Sequence, residues 1–177
     1  MEEFAKNMLK NPINKLVFSE SEDVFLVGGY IRDHIIKGAQ SKDLDFVAIK
    51  NIRPLVNKVS ERLSGTVIEL RQEHMIRICL KNGATIDFSK MLGDIKEDLG
   101  KRDFTMNSIA WSPQTGLIDP YCGLSDIKHK TIRAVCEPNM RNDPLRLLRA
   151  YRFSGELRFE IEENTRKIIK KMVDFIK

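Results

Sequence analysis

The sequence predicts an α+β fold in which a mixed unit of short strands and helices precedes a helical segment. Three observations carry that expectation. Short apolar runs such as Val24–Val27 stop at glycines or turn residues, as buried strands do. Asn82-Gly83 lies between two strand-like runs and signals a tight hairpin. From Asp143 onward the spacing is helical, and Ile161, Thr165, Ile168, Ile169, Met172 and Ile176 form one mostly apolar stripe.

The elements follow in order. Residues 2–18 read as a helix interrupted at Asn11-Pro12. Val24–Val27 is a buried strand, and Tyr30–Lys37 is a helix closed by Gly38. Leu44–Ile49 is a second strand. Leu55, Val59 and Leu63 recur at helical spacing over Pro54–Leu63, with Gly65 just past the end. Thr66–Leu70, Met75–Leu80 and Thr85–Phe88 are three more strands. The spacing is helical through Ile95–Leu99 and again from Thr105, after which Gly116–Pro120 reads as strand and turn. A soft boundary at Glu137-Pro138-Asn139 divides residues 1–138 from residues 139–177.

With 177 residues, 42% hydrophobic and 31% charged, the chain fits a globular domain and not a disordered or collagen-like one. No apolar run reaches the ~18 residues that span a bilayer. Met1-Glu2-Glu3 leads into no signal-type stretch, so the expected location is the cytoplasm and no membrane partner is expected. Cys79, Cys122 and Cys136 are widely spaced, which suggests neither a disulfide framework nor a structural zinc site. Charge is unevenly placed. Residues 1–129 hold 18 basic and 18 acidic side chains, whereas residues 130–177 hold 12 and 7. The whole net charge of +5 therefore sits in the last stretch, which suits either a polyanionic partner or a solvated helical face.

Three features combine into a candidate site. Gly28-Gly29 joins a strand to a helix, with Arg32 one turn in. Small residues there let phosphate approach the backbone, and the helix start offers free N–H groups. The plainer reading of the pair is a turn. Asp43 and Asp45 open the second strand, and residues i and i+2 share a face. Two carboxylates side by side invite a cation, and magnesium usually takes one or two carboxylates plus substrate phosphates. Asp87 is a third carboxylate in a strand pattern: it either completes a two-metal site or faces solvent. Lys101-Arg102 precedes Asp103-Phe104-Thr105, where a basic pair can neutralise phosphate and Asp103 can cap a helix.

Together these residues resemble a family. Leu26-Val27-Gly28-Gly29-Tyr30-Ile31-Arg32-Asp33 followed by Lys42-Asp43-Leu44-Asp45-Phe46 is similar to the signature of class II tRNA nucleotidyltransferases (CCA-adding enzymes) and bacterial poly(A) polymerases. Arg102–Ser108 resembles their second motif. Gly116–Val135 resembles the next shared segment, with Cys122 where the first of two glycines is usual. Asn142–Phe153 resembles the motif that opens their neck.

The resemblance implies a polymerase-beta-like head (1–138) with a mixed, largely antiparallel sheet, then the beginning of a helical neck (139–177). It implies transfer of C or A from CTP or ATP to a tRNA 3′ end with release of pyrophosphate. Asp43 and Asp45 would bind Mg2+. Gly28, Gly29, Arg32 and Arg102 would contact the triphosphate, and Asn107 the ribose. Asp143 and Arg146 would read the base edge, supported by Arg149 and Arg152. Asn142 stands where the family usually has glutamate, and only residues 88–102 separate Asp87 from Asp103, a short connection that leans towards CC-adding. Poly(A) tailing and a non-catalytic nucleotide- or RNA-binding module are the alternatives. Family members continue through body and tail domains that grip tRNA, so the sequence reads as a truncation, a split product or a minimal form.

Overall fold

The computed structural model describes residues 2–38, 41–71, 74–91 and 93–173. The chain forms two compact units. Met1–Asp94 with Ala110–Ile118 makes the first, and Ile95–Ile109 with Asp119–Lys177 the second.

The first unit begins with α1 (Glu2–Lys10) and α2 (Pro12–Glu20). The break between them is the one read at Asn11-Pro12. Asn11 caps α2 by accepting from the N–H groups of Ile13 and Asn14, and Pro12 takes the first turn, where no N–H is needed. Then follow β1 (Val24–Val27), α3 (Gly29–Lys37), β2 (Asp43–Ala48), α4 (Ile52–Leu63), β3 (Thr66–Arg71), β4 (Met75–Cys79) and β5 (Thr85–Lys90). After an excursion through the second unit the chain returns as β6 (Ala110–Ser112) and β7 (Gly116–Ile118). Among the described residues these strands form one seven-stranded sheet in the order β3-β4-β5-β2-β1-β6-β7. The β2–β5 pair is parallel and the other pairings are antiparallel, so the sheet is mixed and largely antiparallel, as expected.

Period-2 alternation sorts the two faces. Phe46 on β2 stacks on Phe88 of β5, and Phe18 of α2 packs edge-on against both Phe46 and Trp111. Such aromatic pairs contribute about 0.5–1.5 kcal/mol each beyond their buried area. The same alternation sends Asp43, Asp45 and Asp87 to the opposite face.

The β4–β5 turn fixes which residues meet there. A two-residue turn on Asn82-Gly83 would set Arg77 opposite Phe88. The observed turn is one residue longer, with Gly83 at φ 80° in the left-handed region, and sets Arg77 opposite Asp87.

The second unit holds α5 (Ile95–Gly100), a 3-10 turn (Thr105–Asn107), α6 (Gly123–Lys128), β8 (Thr131–Ile132), α7 (Glu137–Asn142), α8 (Leu145–Leu157), β9 (Glu160–Ile161) and α9 (Glu163–Met172). Phe104 is fully buried and meets Phe153 of α8 edge-on. Behind it lies a polar network. Buried Asp126 accepts from Thr105 Oγ1 at 2.6 Å and from the Arg133 guanidinium. Ala134 N–H donates to Thr165 Oγ1, which donates to Glu162, the cap of α9. Burial pushes the Glu162 carboxyl up, but the hydrogen bonds from Thr165 and the Asn164 N–H, with the Arg133 charge, outweigh it and hold the group below its ordinary value.

Several expectations need correction. The helix expected from Thr105 is one 3-10 turn. Thr105 N–H donates to Arg133 O, and Ala110 and Trp111 leave to pair with β1. The helical stretch expected from Asp143 is interrupted. Arg158 ends α8 at φ 57°, and Ile161 sits in β9, paired parallel with β8. Thr165, Ile168, Ile169 and Met172 of the apolar stripe are buried on α9, while Ile176 lies outside the described residues. Gly65 does lie just past α4, and the left-handed cap between them is Ser64. Gly65 is needed for space, since a Cβ there would come within 2.3 Å of Ile78 Cγ2. The usual glycine pair at 122–123 also finds its reason, while nothing in the structure explains the cysteine at 122. Cys122 sits at φ 59°, where glycine is at ease, and at Gly123 a Cβ would meet the Thr105 carbonyl oxygen at 2.2 Å.

Candidate active site

In the first unit, the candidate residues lie on the sheet and at the start of α3. Asp43 is exposed and Asp45 half-buried, both at the leading end of β2. Asp43 Oδ1 accepts from Thr85 Oγ1 at 2.7 Å. Asp45 stands level with Val27 of β1 on one side and Asp87 of β5 on the other. Arg77 of β4 stands level with Asp87 in turn. Asp45, Asp87 and Arg77 thus form a row across three neighbouring strands. Like charges directly opposite one another destabilise a sheet, and Arg77 offsets this with a fork, Nε and Nη2 each donating at 2.7 Å to Asp87. The hydrogen bonds to Asp87, and then its charge, push the pKa of Arg77 up. Asp87 is 9% exposed and does not face solvent.

Gly28 has φ 76° and ψ −134°, a conformation reserved for glycine, and this turn lets β1 pass directly into α3. Arg32, 8% exposed, lies in the first turn of α3, with Nη2 2.7 Å from Asp33 Oδ1. Nη2 also lies 3.6 Å from where a Cβ on Gly29 would stand, so its guanidinium lies over that glycine.

A divalent cation has a plausible donor set here, but not a closed one. Among the described residues no group of three or more His, Cys, Asp or Glu side chains is arranged to hold a metal. Two same-face carboxylates, one of them exposed, suit a Mg2+ ion that completes its shell with water and substrate phosphates.

In the second unit, Arg102 follows α5. Its Nη2 is 3.7 Å from Asp98, and its buried Nε has no hydrogen-bond acceptor among the described residues. Asp103 Oδ1 accepts from Phe104 N–H and from Asn107 Nδ2, and its Oδ2 is 2.8 Å from Arg149 Nη2. Asn107 is 5% exposed, which gives it a bracing place behind Asp103. Asp143 ends α7, and its Oδ1 accepts from Leu145 N–H at the start of α8. Arg146 Nε reaches Asp143 Oδ2 at 3.4 Å, and its Nη1 donates to Lys101 O at 2.8 Å. The guanidinium groups of Arg149 and Arg152 lie 5.5 and 4.8 Å from the Phe153 ring centre. Leu147, Ala150 and Phe153 form the buried side of α8, whereas Leu145, Leu148 and Tyr151 are exposed.

Three groups escaped the sequence reading. Arg77 is an ordinary strand arginine until the turn length fixes its partner. Asp126 and Arg133 lie inside the Gly116–Val135 segment, but only the fold brings them together. Asn139, 8% exposed, reads as a surface residue of a polar helix, yet its Nδ2 donates to both Gly100 O and Arg102 O at 2.7 Å.

Comparison with known proteins addresses the origin of this arrangement. Residues 80–133 match the poly(A) polymerase head domain. A CC-adding tRNA nucleotidyltransferase of Synechocystis sp. is 35% identical over 86% of this chain and 37% of its own length. The chain belongs to the tRNA nucleotidyltransferase and poly(A) polymerase family. An A-adding tRNA nucleotidyltransferase of Deinococcus radiodurans is 32% identical over 86% of the chain and 35% of its own length. The solved structure of the Thermotoga maritima CCA-adding enzyme with tRNA superposes with a TM-score of 0.84 at 29% identity, covering 98% of this chain and 45% of that one. The fold is thus that of the family's head, as expected. The chain spans a little over a third of the length of these curated relatives. No helix among the described residues is long and apolar enough to cross a membrane.

Proposed function

We propose that the chain is the nucleotidyl-transferring part of a template-independent RNA nucleotidyltransferase acting on tRNA 3′ ends in the cytoplasm. In the reaction the terminal 3′-hydroxyl oxygen bonds to the α-phosphorus of CTP or ATP, and the bond to pyrophosphate breaks. The observation that carries this reading is the carboxylate row, with Asp43 and Asp45 on one face of β2 at its open end and Asp87 held beside Asp45 by Arg77.

Asp43 and Asp45 are the residues that would hold Mg2+. When bound, that ion supplies charge neutralisation at the triphosphate and a more acidic attacking hydroxyl. Asp87 takes the third place in the row, oriented by the Arg77 fork. Arg32 at the start of α3 and Arg102, whose Nε lacks an acceptor, are the phosphate contacts. Gly28 and Gly29 leave backbone room for the phosphates. Asn107, whose Nδ2 donates to Asp103 Oδ1, is the ribose contact of this reading. Asp143 and Arg146, an acceptor beside a donor fork, read the base edge, because an unmatched polar edge is costly there. Arg149 and Arg152 support that segment through Asp103 and Phe153.

Only residues 88–102 separate Asp87 from Asp103, and by resemblance to the family that short connection supports addition of the two cytidines over terminal A. The test is incubation with Mg2+, labelled CTP or ATP, and tRNA lacking its 3′ end. Two added cytidines support the reading; a long A tail would replace it with poly(A) tailing, and nucleotide binding without any addition would leave a binding module.

A further inference from the structure

The turn Gly100-Lys101-Arg102 has three successive carbonyls at the C-terminal end of α5, where a helix leaves its last carbonyls without partners. Each is taken by a side chain from the segment that follows β8. The two hydrogens of the Asn139 amide go to Gly100 O and Arg102 O, both at 2.7 Å, and Arg146 Nη1 goes to Lys101 O at 2.8 Å. Tyr121 OH donates to Lys96 O one turn earlier and lies 2.4 Å from where a Cβ on Gly100 would stand. Asn139 is buried, so water competes little for its two bonds. Bonding the carbonyls on either side of Lys101 restricts the backbone that aims the Arg102 side chain. That side chain has a buried Nε with no acceptor among the described residues, so its direction decides what it can meet.

We propose that Asn139 is a positioning residue that holds Arg102 in the direction in which it meets a triphosphate. This rests on the proposed reading of Arg102 as a phosphate contact. Because the triphosphate is common to all nucleotides, Asn139 governs affinity for the phosphate chain and not the choice of base, which separates it from Arg146.

The test is equilibrium binding to the full chain with Mg2+ present, using inorganic triphosphate, CTP and UTP as probes. The variants are Asn139→Leu, Arg102→Ala and the double variant. Asn139→Leu should bind triphosphate and CTP about tenfold more weakly, the lower end for residues that orient a ligand-contacting group. Its CTP-to-UTP preference should be unchanged. In the Arg102→Ala background the same substitution should add less than about twofold, since its effect passes through the missing arginine. Wild-type affinity in Asn139→Leu, or an equal loss in both backgrounds, overturns the inference while leaving the functional reading in place. Should Asn139→Leu fail to fold by circular dichroism, Asn139→Ser, which keeps one donor, decides: about threefold weaker binding supports the inference, and unchanged binding overturns it. A wild-type chain that binds neither triphosphate nor CTP overturns the functional reading, and the inference falls with it.

Discussion

The two units support their charged side chains by different physical means. In the first, Asp43, Asp45 and Asp87 are placed by strand register, and the backbone ladder sets their spacing. In the second, Arg102, Asp103, Arg146 and Arg149 are placed by side chains bonding to carbonyls and to one another around a turn. A ladder-borne carboxylate can be removed with little effect on the scaffold, because the ladder is backbone. A turn held by side chains couples function to local stability. The difference teaches that chemistry and selection should separate on mutation.

The largest effect is expected on the sheet. Asp45→Ala should abolish nucleotide addition, exceeding the roughly 10–100-fold loss typical of residues that only support a metal ligand. Its circular dichroism spectrum and melting temperature should stay close to wild type. A variant that melts far earlier would break the comparison, by showing that the carboxylate row also holds the sheet together.

Next comes Arg146→Ala in the second unit. Losing one bidentate base contact costs about 1–3 kcal/mol of discrimination, so the CTP-to-UTP ratio of kcat/KM should narrow by roughly ten- to a hundredfold. Lys101 O also loses its donor, so melting should fall modestly as well, unlike Asp45→Ala.

Arg77→Met sharpens the comparison from the other side. It leaves buried Asp87 without its fork and beside Asp45, and should destabilise the chain by about 1–3 kcal/mol in urea unfolding. Adding Asp87→Asn should restore part of that loss.

Much of the first unit was legible in sequence because its signals are local. Val24–Val27 is four apolar residues ended by two glycines, and all four are buried in β1. Asn11-Pro12 breaks a helix by proline chemistry alone. The carboxylate pair needed only a strand and its period of two. Arg77 was not legible because its partner depends on a hairpin one residue longer than Asn82-Gly83 alone suggests. The second unit was read less well. Thr105–Ser108 has helical spacing, yet its backbone bonds go to Arg133 and its own short turn, a long-range competition that spacing does not encode. Short β9 is likewise decided by β8, about thirty residues earlier in sequence. Asn139 carries no signal at all, since only the folded turn makes it a double donor.

Two smaller effects test the support of the second unit. The Glu162 carboxyl lies below its unfolded value, so its contribution to stability is present in full above the ordinary glutamate range of about 4.3 and is lost as pH falls through the folded value. Melting temperature should therefore drop on acidification below about pH 4, and Glu162→Gln should make that drop shallower. Smallest is Cys122→Gly, which relieves a left-handed backbone at an exposed site and should raise stability by up to about 1 kcal/mol.

The central claim is that this chain transfers nucleotides to RNA ends with the β2 carboxylates. Its most direct measurement is extension of a labelled tRNA lacking the 3′ end, with Mg2+ and CTP, comparing wild type and Asp45→Ala by product length on a denaturing gel. The expected result is growth by two residues with wild type and none with the variant. No extension by folded wild-type chain, or equal extension by Asp45→Ala, would contradict the claim.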